Sequence, residues 1–87
     1  MTTSIEISYY PLTDEFIPHV QNFIDRLNSH SEIKVQTSGI STHIFGEYRP
    51  LMNIITDEIE KSFELPHSVF VLKIINSELT EYNRYNG

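Results

Sequence analysis

The chain has 87 residues, with 12 acidic against 6 basic side chains and a formal net charge of -6. That length allows one hydrophobic core and not two, while 39% hydrophobic content with 11% aromatic residues excludes a disordered chain. The acidic excess argues against a nucleic-acid partner, because phosphate backbones are held by clustered Lys and Arg, and the lack of Cys excludes disulfides, thiolate metal sites and thiol nucleophiles.

Residues 4–10 alternate Ile5, Ile7 and Tyr9 against Glu6, Ser8 and Tyr10 before Pro11. Period two predicts a first strand closed by a residue that cannot donate to a ladder. From Asp14 the pattern changes: Phe16, Ile17, Val20, Phe23, Ile24 and Leu27 recur at three- and four-residue steps, which predicts a first helix with one apolar stripe. Thr13 or Asp14 is positioned to cap it, and Pro18 lies in its first turn, where a missing amide costs little.

Ile33, Val35 and Thr37 alternate with Lys34 and Gln36, then Ser38-Gly39 breaks the run, so residues 33–37 read as a second strand and a turn. Residues 40–46 set Thr42 and Ile44 on one side and His43 and Phe45 on the other, a third strand pairing with the second as a hairpin. Pro50 reads as the first residue of a second helix whose stripe is Leu51, Met52, Ile55, Ile59 and Phe63, ended by Leu65-Pro66. Residues 68–75 are dense in β-branched side chains and read as a fourth strand, paired on both edges or covered on both faces. Residues 77–87 are polar and aperiodic and read as a tail.

The order is therefore β-α-β-β-α-β: a single ferredoxin-like α+β domain over residues 1–87, its core spanning about 4–76, with a four-stranded antiparallel sheet and two helices on one face. The helix side receives Ile5, Ile7, Tyr9, Thr42, Ile44, Phe70, Leu72 and Ile74. The opposite side receives Tyr10, His43, Phe45, Val71 and Ile75 with no helix to cover them. Soluble monomers rarely keep large apolar patches in water, so self-association through this open face is expected.

No run approaches the roughly 18 consecutive apolar residues of a spanning helix. The opening Met1-Thr2-Thr3-Ser4 lacks the basic and apolar regions of a signal peptide, so a cytoplasmic protein without membrane partners is expected. A metal site would have to use His19, His30, His43 and His67, yet His19 has Phe23 at i+4 and the others fall in separate elements; no metal or cofactor is expected. No Gly-x-Ser-x-Gly elbow is present, and Gly39 and Gly46 alone precede the terminal glycine, too few for a phosphate cradle. A non-enzyme is the expectation.

The most unusual stretch is Ser41-Thr42-His43-Ile44-Phe45-Gly46-Glu47-Tyr48. It places the Thr42 hydroxyl on the otherwise apolar helix side, where an unpaired hydroxyl costs about 1–3 kcal/mol. Thr42 either bonds nearby backbone or faces a pocket. Gly46 lets the chain bend out of the sheet, and Glu47 stands near the positive end of the second helix.

These residues, with Tyr9-Tyr10-Pro11 ending the first strand and Leu51-Met52 entering the second helix, resemble the small YkoF-related thiamine-binding family over residues 5–75. The resemblance implies a ferredoxin-like fold that assembles through sheet surfaces and binds thiamine or hydroxymethylpyrimidine between sheet and helices, without catalysis. It implies Thr42 as a pocket-lining polar group with Ser41 beside it, and Ile7, Tyr9, Tyr48 and Phe70 as apolar or aromatic walls. Glu47 would offer a carboxylate to the thiazolium cation. His43 and Phe45 depart from the pattern, where smaller or charged side chains are expected.

Two other readings stay open. One is a ferredoxin-like interaction or regulatory module with no small-molecule ligand, its helix side being core alone. The other is an enzyme of the dimeric α+β barrel type, which requires a barrel-lining His; His43 points away from any site beneath the helices but toward any cavity between paired sheets.

Overall fold

In the computed structural model the described residues are 1–38 and 41–78. Gly39 and Ile40, at the predicted turn and strand start, and residues 79–87 of the predicted tail lie outside them. The alternating segment forms β1 (Thr2–Pro11), longer at both ends than its apolar residues alone. It is followed by α1 (Phe16–Asn28), β2 (Lys34–Thr37), β3 (Thr42–Glu47), α2 (Tyr48–Ser62) and β4 (Ser68–Ile75). The β-α-β-β-α-β order and the antiparallel sheet are those of a ferredoxin-like fold.

Both helices begin off their predicted positions, and proline explains why. α1 starts at Phe16, after Glu15 at φ -97, with no side-chain cap from Thr13 or Asp14. Instead the Thr13 amide donates to Pro11 O (3.0 Å) and the Leu12 amide to His67 O (3.1 Å), tying the β1–α1 connection to the strand ends. α2 starts at Tyr48, so Pro50 is its third residue, as Pro18 is in α1. The first four helical amides lack intrahelical acceptors, so proline is tolerated throughout that turn and marks a start only to within a few residues.

The sheet order is β2-β3-β1-β4, with every neighbouring pair antiparallel. Register aligns Ile5 with Ile44 and Ile74, Ile7 with Thr42 and Leu72, and Tyr9 with Phe70, which keeps each row on the helix side. Ile5, Ile7 and Ile44 from the sheet, Phe23 and Leu27 from α1, and Leu51, Ile54 and Ile55 from α2 form the core. Ile54 joins it although the predicted stripe omits it. Phe16, Ile17 and Phe63, assigned to the stripes, are exposed, because the first two sit in the opening turn of α1 and Phe63 is the C-cap of α2.

β4 departs from its prediction. It pairs with β1 alone and forms an edge, and Val69, Val71, Ile74 and Ile75 remain exposed. Ile74 lies on the helix side, yet it is 49% exposed. The open face also differs in one residue: Tyr10, Val71 and Ile75 are exposed as expected, but Phe45 is only 6% exposed. Phe45 therefore takes no part in an exposed apolar patch, which shifts toward β4.

A charged knot joins the two helices. Arg26 Nε donates to Glu58 Oε1 at 2.7 Å and Arg26 Nη2 to the Ser62 hydroxyl at 2.6 Å, while His30 Nε2 lies 2.8 Å from Glu58 Oε2. Glu58 is 2% exposed. Burial works to raise its carboxyl, and the hydrogen bonds from His30 and Arg26 with the nearby Lys61 charge outweigh it, holding Glu58 below the ordinary carboxylate value. No described helix is long and apolar enough to cross a membrane.

Candidate functional site

At one end of the sheet, where β1 finishes and β3 begins, α1 leaves a cavity of about 450 Å3 between itself and the strands. That volume lies within the range of small-molecule sites, roughly 300–1,000 Å3. Ile7, Tyr9, Val20, Phe23 and Ile24 supply its apolar wall. Tyr10, Leu12 and Phe16 stand at its mouth, each more than half exposed. Thr37, Ser38, Ser41 and Thr42 border it from the β2–β3 hairpin. No described lining residue carries a charge.

Thr42 is 7% exposed, and its hydroxyl makes no hydrogen bond to any described residue. Of the two options that the sequence left, local satisfaction or a pocket, the geometry takes the second. Ser41 borders the same cavity, but its hydroxyl turns to the other sheet face, 3.3 Å from both Glu6 Oε2 and His43 Nε2. Its backbone closes the hairpin, with the Ser38 amide donating to Ser41 O at 2.9 Å.

Tyr9 is fixed from three directions. Its ring stacks on Phe70 at 4.3 Å between centroids and meets the Phe23 edge at 5.5 Å, and its hydroxyl shares a 3.3 Å hydrogen bond with Ser68 Oγ. Phe70 itself does not line the cavity; it backs the residue that does. Aromatic pairs of this kind add about 0.5–1.5 kcal/mol beyond area burial.

Glu47 and Tyr48 are not brought to this site. β3 runs the length of the sheet, so Glu47 lies five residues from Thr42, about 17 Å at ~3.4 Å per residue. There Glu47 accepts a hydrogen bond from the Met1 amino group at 2.9 Å and another from Thr2 Oγ1 at 3.3 Å. The terminal amino group holds the Glu47 carboxyl below its ordinary value. Tyr48 instead lines a separate depression with Met1, Thr3 and Ile74.

Two further clusters carry polar chemistry. On the open face Glu6 gathers His43 and Ser41, with Lys73 Nζ at 3.5 Å, and the His43 hydrogen bond chiefly lowers the Glu6 carboxyl. A proton relay needs the two ring nitrogens of histidine to face different partners. Here Ser41 and Glu6 both approach Nε2. The second is a depression of about 300 Å3 bordered by Tyr9, His19, Asn22, Arg26, Lys61 and Ser62. No group of three or more His, Asp or Glu side chains that could hold a metal ion occurs among the described residues.

The cavity residues that the sequence left unassigned are Ser8, Pro11, Leu12, Phe16, Val20, Phe23, Ile24, Thr37 and Ser38. Phe16, Val20, Phe23 and Ile24 belong to the helix stripe, and a stripe does not announce which of its residues stop short of the sheet.

No family model matches the chain, and no curated protein matches its sequence. Solved structures do match. A Streptococcus pneumoniae protein shares 23% identity at a TM-score of 0.82, covering 93% of this chain and 92% of that one. A candidate thiamine biosynthesis/salvage protein of Thermotoga maritima shares 15% identity at a TM-score of 0.80, covering 88% of this chain and 85% of that one. A Bacillus cereus domain of unknown function, of the class DUF77, shares 14% identity at a TM-score of 0.74, covering 97% and 86%. At these identities the likeness establishes the fold.

Proposed function

We propose that the chain binds thiamine or its hydroxymethylpyrimidine moiety in the α1 cavity, without catalysing a reaction, as a self-associating cytoplasmic protein. The observation that carries this reading is Thr42, a residue only 7% exposed whose hydroxyl bonds to no described residue and which borders an aromatic and aliphatic slot. A flat aminopyrimidine has apolar faces and an edge of donors and acceptors, and such a slot with few hydroxyl partners matches it. The tyrosine faces and the net charge of -6 favour a thiazolium cation nearby. The fold shared with the Thermotoga maritima protein supports the same ligand class.

Thermal-shift titration tests it. A ligand that binds only the native state raises stability by RT ln(1 + [L]/Kd). Thiamine or hydroxymethylpyrimidine at millimolar concentration should raise the melting temperature, and no shift with either would overturn the reading.

The exposed Tyr10, Val69, Val71 and Ile75 favour a second reading, a protein-interaction module whose sheet meets another protein. Under it the cavity binds neither compound and the open face alone is functional.

A further inference from the structure

We infer that the depression between α1 and the C-terminal end of α2 is a second ligand site, and that it takes a free α-amino acid with an apolar side chain.

The depression holds about 300 Å3, at the lower end of the range of small-molecule sites. His19, Asn22 and Arg26 reach it from α1, where steps of three and four residues put them on one helix face. Lys61 comes from the last turn of α2, and Glu64 and Leu65 follow the Phe63 cap. Tyr9 borders both this space and the larger cavity and stands between them, pinned by Phe70, Phe23 and Ser68.

Arg26 is prepared to meet a carboxylate. Its Nε donates to Glu58 Oε1 at 2.7 Å, and its Nη2 donates to Glu58 O at 3.2 Å and to Ser62 Oγ at 2.6 Å, so the guanidinium plane is fixed. Its Nη1 donates to no described residue. A guanidinium held in this way loses little side-chain freedom on pairing with a carboxylate. Lys61 Nζ, 3.5 Å from Glu58 Oε2 on a side chain 58% exposed, adds a second cation on a flexible stem.

The opposite charge is supplied as well. Glu64 is exposed, and its carboxylate pairs with no described residue. Together Glu64 and the buried Glu58 offset Arg26 and Lys61. A simple anion would meet Glu64, the carbonyl end of α2 and a net charge of -6. A simple cation would meet Arg26 and Lys61. A zwitterion, with no net charge, finds a partner for each pole. Leu65, half-buried, and the Tyr9 ring provide an apolar surface for its side chain.

The test is NMR titration of the full chain near neutral pH with leucine, N-acetyl-leucine and leucinamide, following the His19 ring and the Asn22 side-chain amide. Leucine should shift both signals and saturate in the millimolar range, as ion pairs in contact with water allow. Leucinamide lacks the carboxylate and should bind about tenfold more weakly. N-acetyl-leucine lacks the ammonium and should bind about threefold more weakly. No shift of either signal at tens of millimolar leucine would overturn the site, and N-acetyl-leucine binding as tightly as leucine would overturn the zwitterion.

Two substitutions at exposed positions supply a second readout. Glu64→Gln should make leucine and N-acetyl-leucine bind equally, and Lys61→Gln should weaken leucine about threefold while leaving leucinamide unchanged. Folded variants that keep the parent affinities for all three compounds would remove the leucine from this depression.

Discussion

The Tyr9 and Phe70 rings lie nearly parallel, 4.3 Å apart at an interplanar angle of 10°, across directly paired positions of β1 and β4. Phe70 thus acts on the cavity only through Tyr9. Phe70→Ala should destabilise the fold by about 2 kcal/mol, below the range for fully buried phenylalanines because Phe70 is partly exposed. Thiamine affinity should fall severalfold although no direct contact is lost. Denaturant unfolding and calorimetry measure the two effects, and undiminished affinity would show that the stack does not position Tyr9 for binding.

Thr42→Val keeps the shape of the side chain and removes the hydroxyl. Stability should change little, since that hydroxyl bonds to no described residue, while affinity for thiamine should fall about fivefold, the worth of one neutral hydrogen bond. Equal affinities for the two proteins in calorimetry would place the ligand elsewhere.

Glu58→Ala should cost about 3 kcal/mol, because it strands the Arg26 guanidinium between the helices. The pH dependence has a defined sign. The Glu58 carboxyl is lowered from its ordinary value of 4.5, so its contribution is complete above that value and disappears as pH falls through the lowered one. Urea midpoints should therefore decline below pH 4.5 more steeply in the parent protein than in Glu58→Gln. Parallel declines would assign the acid lability to other carboxylates, of which Glu6 and Glu47 are also lowered.

Self-association is checked at Val71, 52% exposed at the centre of β4 on the open face. Sedimentation of the parent protein at micromolar concentration should give a dimer or larger species, and Val71→Lys should give the monomer. A parent protein that sediments as a monomer throughout would exclude association through this face.

Alternation and stripe spacing carried the fold. Ile5, Ile7 and Tyr9 marked β1, and Phe23 and Leu27 marked the buried side of α1, because apolar periodicity is a local signal of a burial decision. The site was legible where it depended on a local anomaly: Thr42 stood out as a hydroxyl in an apolar row. Glu47 and Tyr48 were joined to it only through the family resemblance, and an extended strand carries the two ends of the Ser41–Tyr48 stretch to opposite ends of the sheet. The Glu58 knot had no local signature. Its partners Arg26 and His30 belong to the other helix and its capping residues, 32 and 28 positions away, and only the packing of α1 on α2 brings them together.

β1 is central, and its partner β4 is the last strand in chain order among the described residues: Ser4 pairs with Ile75 and Pro11 with Ser68. A nascent chain carries β1 half-paired until residues 68–75 have cleared the ribosome, and loop closure over that separation slows folding. The unfinished β1 edge is then available to any extended segment nearby.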